Sequence, residues 1–407
     1  MYKQRIRRED PTTLRSALSA RQRKMGMLTW VAVPLLALAL PLGGIGYTLA
    51  HRVPVRSIVE AGSGVAHAAV PAPMKDCGTQ TGPLQKELSE LSRQFDGDVG
   101  IAVSQVGCDW VAGDRSFAFY PQQSVSKLWV ALAVLKAVDR GQISLEQKLT
   151  IGPSDLTLFN QPLRHEVLEK GQVSQSVHSL LEAALSRSDN TANDRLLRAV
   201  GGSAAVTEMM NGISGSAVRF GPGERRLQSG IAGLQWSPAF SLGRNFEEAR
   251  GNLPPQVRLA ALENYLADPV DGAQPSGIAH VLALLSRGDL LSPGSTEVMM
   301  DILARTHSGP KRLKAGAPPD WAVFHKTGTG QELGKVATGY NDVGLLRAPD
   351  GTMYSVAVMI GKTTTAIPDR MALMQNVTRT IVTFHEVTVD GVAGENAENL
   401  GSGSPRA

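Results

Sequence analysis

The chain has 407 residues, of which 42% are hydrophobic, 5% aromatic and 19% charged, proportions that exclude a wholly disordered protein and leave room for a large core. Its net charge of +4 misdescribes the body: residues 1–24 hold eight Lys/Arg against Glu9 and Asp10, and the rest carries 33 basic and 35 acidic residues, a net of −2. A near-neutral body argues against a nucleic-acid partner.

From Met25 to Ala50 no residue is charged, and the run exceeds the roughly 20 residues that span a bilayer. One membrane helix is expected, an uncleaved signal-anchor, with residues 1–24 as a cytoplasmic basic segment and everything after residue 50 exported. A signal peptide cleaved near Ala66-His67-Ala68 is the rival, which would release the body. Residues 51–76, rich in Val, Ala, Gly and Pro, read as a linker. The folded domain is expected over 77–387. Cys77 and Cys108 both fall on the exported side, where one disulfide can persist. A structural bridge is the expectation, left open against two free thiols; two thiols with no His nearby do not suggest a metal site.

Leu84 to Phe95 has helical spacing, and Val99 to Val106 alternates as a strand. Phe117 to Tyr120 leads into PQQSVSKLWVALAVLKAVDRG, residues 121–141. From there to about residue 305 helix and loop predominate. Trp321 to Lys326 is a predicted strand, Asn341–Arg347 and Met353–Gly361 a hairpin around Pro349-Asp350-Gly351, and Ile367–Glu386 a closing helix. Val389 to Ala407, rich in Gly, Asn, Ser and Ala, reads as part of a disordered tail over 388–407. Strands at both ends with helices between them predict an α/β (α+β) fold: an antiparallel sheet from both termini of the domain, flanking helices, and an inserted all-helical domain. A site commonly lies at such a junction.

Three short motifs carry chemistry. Ser124 and Lys127 are three residues apart at the front of a helix whose Leu128, Trp129, Val130, Leu132, Val134 and Leu135 leave no polar face, so the helix is expected to be buried. That spacing puts a hydroxyl beside an amine whose proton burial disfavours. S-x-x-K also arises by chance about once in a chain of this length, and Ser308-Gly309-Pro310-Lys311 is such an occurrence, in a loop with no helix to orient it. Ser188-Asp189-Asn190 ends a predicted helix. Lys326-Thr327-Gly328-Thr329 ends a predicted strand, its Gly admitting a substrate to the backbone and its hydroxyls suited to a carboxylate.

Together, in this order, the motifs resemble those of class A β-lactamases and penicillin-binding proteins. PQQSVSKLWVALAVL is similar to the class A nucleophile helix, SDNTANDRLLRAVGGSAAVTEMM to the helix carrying the second motif, and RLKAGAPPDWAVFHKTGTG with YNDVGLLRAPDG to the third motif and closing hairpin. The resemblance covers about residues 84–386 and implies a β-lactamase/transpeptidase-like fold with a cleft between sheet and helical domain. It implies Ser124 as nucleophile, either Lys127 or Glu224 acting through a water as its base, and Ser188 with Lys326 as proton donor to the leaving nitrogen. Asn190, Thr327, Gly328 and Thr329 would bind substrate, Phe159 would line the entrance, and no metal or cofactor is required.

The family's deacylating Glu, in a Glu-x-x-Leu-Asn pattern on the Ω loop, maps to Glu224-Arg225-Arg226-Leu227-Gln228, with Gln228 in the Asn position. By composition alone Glu224 is a solvated loop carboxylate beside two arginines. Two departures follow. The family's Ω-loop arginine is Pro222 here, so the ion pair that closes that loop is lost. Residues 229–273 form an insertion whose Trp236, Phe240, Phe246 and Tyr265 are expected to pack locally near the cleft mouth. These readings imply hydrolysis of a β-lactam through a Ser124 acyl-enzyme. The alternatives are a membrane-anchored peptidoglycan DD-peptidase or related acyl hydrolase that β-lactams merely acylate, and a non-catalytic sensor. The expected location is the inner membrane, with the catalytic domain periplasmic.

Overall fold

The computed structural model describes Cys77 and residues 81–401, with side chains through residue 388. The basic segment, the expected membrane helix and the linker lie outside the described residues. Among those described, no helix is long and apolar enough to cross a membrane.

In chain order the strands are β1 (Gly97–Gln105), β2 (Ala112–Asp114), β3 (Tyr120–Pro121), β4 (Lys148–Ile151), β5 (Val173–Ser176), β6 (Gly272–Ala273), β7 (Ala322–Gly328), β8 (Glu332–Leu333), β9 (Val336–Arg347) and β10 (Met353–Thr363). The main antiparallel sheet runs β2-β1-β10-β9-β7, with β8 paired to β9, so the first strand of the domain sits beside the last. Alternation along β10 shows why the strands are buried on both faces. Val356, Val358 and Ile360 join a core with the helices Gly82–Gln94 and Ile367–Gly401. Ala357 and Met359 face the other way, into the core of the helical part. Short β4–β5 and β3–β6 pairs inside the helical stretch went unforeseen because two to four residues are too few to establish a period.

Ser124 lies on a 3-10 turn, Gln123–Ser126, and Lys127 opens the α-helix Lys127–Asp139. Leu128, Trp129, Leu132, Val134 and Leu135 are all buried in the helical core, as an apolar circumference requires. Cys77 and Cys108 form a disulfide. The closing helix runs beyond Glu386 to Gly401, into the segment expected to be a disordered tail; Glu395, Ala397, Glu398 and Leu400 favour helix there despite Gly391 and Gly394.

The insertion is locally structured, with a 3-10 turn at Pro238–Ser241 and helices Asn245–Asn252 and Pro255–Ala267. The longer segment that contains it and Glu224 is closed by backbone pairing between Val218 and Ala273 and by Arg219 N donating to Gly272 O at 2.9 Å. The Gln122 amide donates to both Arg219 O (2.7 Å) and Asp271 O (2.6 Å). Main-chain and amide bonds therefore close the loop that has Pro222 in the arginine position. Trp236, Phe240 and Phe246 pack together as expected. Tyr265 does not join them; it packs with Leu227, Ile231 and Leu262, because its hydroxyl is claimed by polar partners described below.

Candidate active site

A cleft of about 290 Å³ brings together Ser124, Ser188, Asn190, Gln228, Thr327 and Thr329, with Phe159 at its edge. The three motifs thus converge from parts of the chain as distant in sequence as Ser124 and Thr329. Lys127 Nζ lies 2.7 Å from Ser124 Oγ and also donates to Glu224 Oε1. Both charged side chains are buried, Lys127 fully and Glu224 to within 4% of its surface, so each neutralises a partner that burial would otherwise penalise heavily. Glu224 is therefore no solvated loop carboxylate. It opens the helix Glu224–Ile231 immediately after Gly223, whose φ of +88° places it in the glycine-favouring region. One turn along the same helix, Gln228 Nε2 donates to Glu224 Oε2 at 3.3 Å and to Gln123 Oε1 at 3.0 Å. Asp194, from the helix Asn190–Ala199, accepts the Glu224 backbone N–H at 3.1 Å. Burial and the nearby Glu224 charge push its carboxyl up to about 6.

Across the cleft, Lys326 Nζ donates to Ser188 Oγ at 3.1 Å and to Thr327 O at 2.9 Å. Desolvation, followed by the charges of Lys127 and Arg312, lowers its pKa well below the usual lysine value. Ser188 lies between two helices and has φ +58°. Asp189 caps the second helix, accepting from Ala192 N (2.9 Å) and Leu163 N (2.9 Å). Asn160 braces the turn by donating to Arg187 O (2.7 Å) and Ser188 O (3.0 Å). Asn190 donates to Leu158 O at 2.8 Å, which fixes its amide at the cleft wall. Gln123, Phe159 and Ser188 are three of the four described non-glycine residues with positive φ, so backbone strain gathers at the cleft.

A Cβ on Gly328 would lie 2.4 Å from Gln122 O and 3.3 Å from Val125 Cγ2, so the glycine lets β7 pack against the turn bearing Ser124. Phe159 is 46% exposed and stacks edge-on against Phe246 at 5.1 Å, which ties the cleft edge to the insertion.

Several site residues escaped the sequence reading. Ser308, dismissed as part of a chance S-x-x-K, lines the cleft and bonds its hydroxyl to Thr327 Oγ1 at 2.7 Å. Arg312 donates to Thr329 Oγ1 (2.7 Å), Gly328 O (2.9 Å) and Asn341 O (2.6 Å), placing a fixed cation behind the Thr327–Thr329 wall. Neither sits in one of the three motifs. Asp194 lies four residues after Asn190, one turn along the same helix, and that spacing is its signal in the sequence. Gln123, Tyr265 and Asp271 left none. Among the described residues no cluster of three or more His, Cys, Asp or Glu could hold a metal.

A hydroxyl in contact with a buried lysine, a second lysine–serine pair opposite, and a cleft at the sheet–helix junction define a serine acyl-transfer enzyme. Residues 83–384 match the model of the beta-lactamase enzyme family. The chain belongs to that family, in its class A serine branch. It is 26% identical over 285 residues to the β-lactamase VEB-1 of Pseudomonas aeruginosa, covering 70% of this chain and 84% of that one. A β-lactamase from Chitinophaga pinensis superposes with a TM-score of 0.61 at 25% identity, over 74% of this chain and 97% of that one. An ancestral class A β-lactamase does so with a TM-score of 0.57 at 30% identity, over 74% and 99%.

Proposed function

We propose that the protein hydrolyses β-lactams by acylation of Ser124 followed by hydrolysis of the acyl-enzyme. The observation that carries this reading is the chain of contacts from Ser124 through Lys127 to Glu224, which joins a hydroxyl, an amine and a carboxylate in one line. Lys127, relieved of a proton by Glu224, takes the hydroxyl proton as Ser124 Oγ attacks the lactam carbonyl. The backbone N–H groups of Ser124 and Thr329 hold the oxyanion. Ser188, recharged by Lys326, protonates the leaving nitrogen. Thr327, Thr329 and Lys326, backed by Arg312, hold the substrate carboxylate, and Asn190 binds the side-chain amide. Once Lys127 has passed the Ser124 proton on to the Ser188–Lys326 pair and regained its own from Glu224, the carboxylate of Glu224 is free again, and with Gln228 it orients and deprotonates the water that frees Ser124.

The decisive experiment incubates the purified protein with a chromogenic cephalosporin and a penicillin, following turnover and protein mass together. Steady hydrolysis with a transient adduct, both absent in Ser124→Ala, is the expected result. A lasting adduct without turnover would identify a penicillin-binding acyl hydrolase instead.

We also infer that the protein is held at the inner membrane by residues 25–50 with its catalytic domain in the periplasm. The uncharged run and the preceding basic cluster support this reading. Retention of the full-length chain in membranes after an alkaline wash is expected, and a shortened chain in the soluble periplasmic fraction would overturn it.

A further inference from the structure

Tyr265 lies in the insertion and does not line the cleft, yet it is buried and fully engaged. Its hydroxyl donates to Asp271 Oδ1 at 2.9 Å and accepts from Gln123 Nε2 at 2.7 Å. Asp271 Oδ2 also accepts the backbone N–H of Gln123 at 2.8 Å. Gln123 immediately precedes the nucleophile and has φ +53°, a strained position that persists only where its surroundings hold it.

Donor counting gives this cluster a direction. An ionised carboxylate only accepts, and a phenol has one proton. With that proton donated to Asp271, the phenol oxygen can only accept from its other partner, so the Gln123 amide turns its nitrogen to Tyr265 and its oxygen outward. That oxygen receives the Gln228 amide nitrogen, which also points to Glu224 Oε2. The Gln228 oxygen is left facing Gln331 Nε2 at 3.1 Å, and Gln331 Nε2 is itself anchored on Gln228 O at 2.7 Å. A carboxylate remote from the cleft thus sets which end of the Gln228 amide meets Glu224.

We propose that Tyr265 and Asp271 are positioning residues for deacylation: the insertion fixes the sense of a hydrogen-bonded relay, Asp271–Tyr265–Gln123–Gln228, that presents an N–H to Glu224. The inference rests on the reading of Glu224 as the deacylating base. It assigns the insertion a part in turnover beyond covering the cleft mouth.

Asp271→Asn is an isosteric test. Its oxygen must stay on the Gln123 N–H, so its nitrogen faces Tyr265, the phenol proton turns to Gln123, and the relay is forced to reverse or break. The lifetime of the acyl-enzyme, followed by mass after rapid removal of excess drug, is expected to rise about 10-fold, with adduct formation changed less than about threefold. Tyr265→Phe, which loosens the relay but leaves the Gln331 anchor, is expected to lengthen it less. A role limited to folding would lower the fraction of protein that forms adduct without altering how long each adduct lasts. In a Gln228→Ala background, where no amide remains to be turned, Asp271→Asn should add nothing. Adduct lifetimes equal to the parent's, or effects that simply multiply with Gln228→Ala, overturn this inference alone. A parent that forms no adduct with either drug overturns the lactamase reading and this inference with it.

Discussion

On one side of the cleft, Lys326 and Thr327 hang from β7, paired to β9 along its whole length from Ala322 to Gly328. On the other, Glu224 and Gln228 hang from an eight-residue helix that leads into the insertion and is tied down by buried amides and carboxylates. The strand wall inherits its precision from the sheet, whose ladder holds every residue in register. The helix wall has no such lattice, and its geometry depends on the relative donor and acceptor ends of Gln123, Gln228 and Gln331, where one wrong partner leaves a costly unmet group. On the proposed mechanism, the strand ladder holds Lys326, which serves acylation, and side chains hold Glu224 and Gln228, which serve deacylation.

Substitutions on the two walls should separate the two half-reactions. Glu224→Gln removes the base for the second step and the acceptor of the Lys127 proton in the first; both are expected to slow, deacylation the more, by about 10²- to 10⁴-fold, the usual worth of a positioned general base. The adduct should accumulate and be seen directly by mass; parent-like turnover would show that another group activates the water. Lys326→Ala acts on the opposite wall, stripping Ser188 of its proton source and the substrate carboxylate of a cation. Adduct formation is expected to slow by about 10²-fold, the lower end of that range, while the adduct that does form should decay at a rate close to the parent's. Stopped-flow acylation rates beside adduct lifetimes make the comparison.

The same contrast explains what was legible in the sequence. Residues 121–141 announced a buried helix through composition, and SDN and KTGT gained meaning from their order. The sheet could be assembled because Val99–Val106 alternates and Pro349-Asp350-Gly351 marks a turn between two largely apolar runs; that the strands bury both faces is a product of the helices packed on each side. Glu224 was found through its register after SDN, although its burial against Lys127 was not visible, since nothing in ERRLQ tells a solvated Glu from a paired one. Ser308, Arg312, Gln123, Tyr265 and Asp271 were missed for a single reason. Their roles come from contacts between residues up to 148 positions apart, and no local spacing records such a contact.

A perturbation touching neither wall provides the control. The Cys77–Cys108 bridge, with a sequence separation of 31, joins the start of the domain to the turn after β1, and the β1–β2 edge lies at the end of the sheet opposite β7. Replacing both cysteines by Ser is expected to cost about 3 kcal/mol, chiefly through the freedom returned to the unfolded chain. Urea unfolding measures that loss. Acylation rate and adduct lifetime per folded molecule should stay at parent values, and a change in either would mean that the sheet edge communicates with the cleft.

The helix wall should also betray itself in the pH dependence of stability. Asp194 and Asp271 are each raised from an ordinary 3.8 to about 6, foremost by burial. Between these values the native chain holds protons that the unfolded chain has released, so the stabilisation from a protonated carboxyl is complete below about 4 and disappears as pH rises through about 6. The slope is about 1.4 kcal/mol per pH unit for each fully linked proton. Asp194→Asn keeps an oxygen for the Glu224 N–H and deletes one titration. Subtracting its urea stability from the parent's between pH 4 and 7 cancels every group the two share, including Lys326, whose lowered pKa works with the opposite sign. The parent should lose stability relative to the variant as pH rises through this window; a flat difference would mean that Asp194 reaches more water than its contacts allow, and that the helix wall is looser than its hydrogen bonds require.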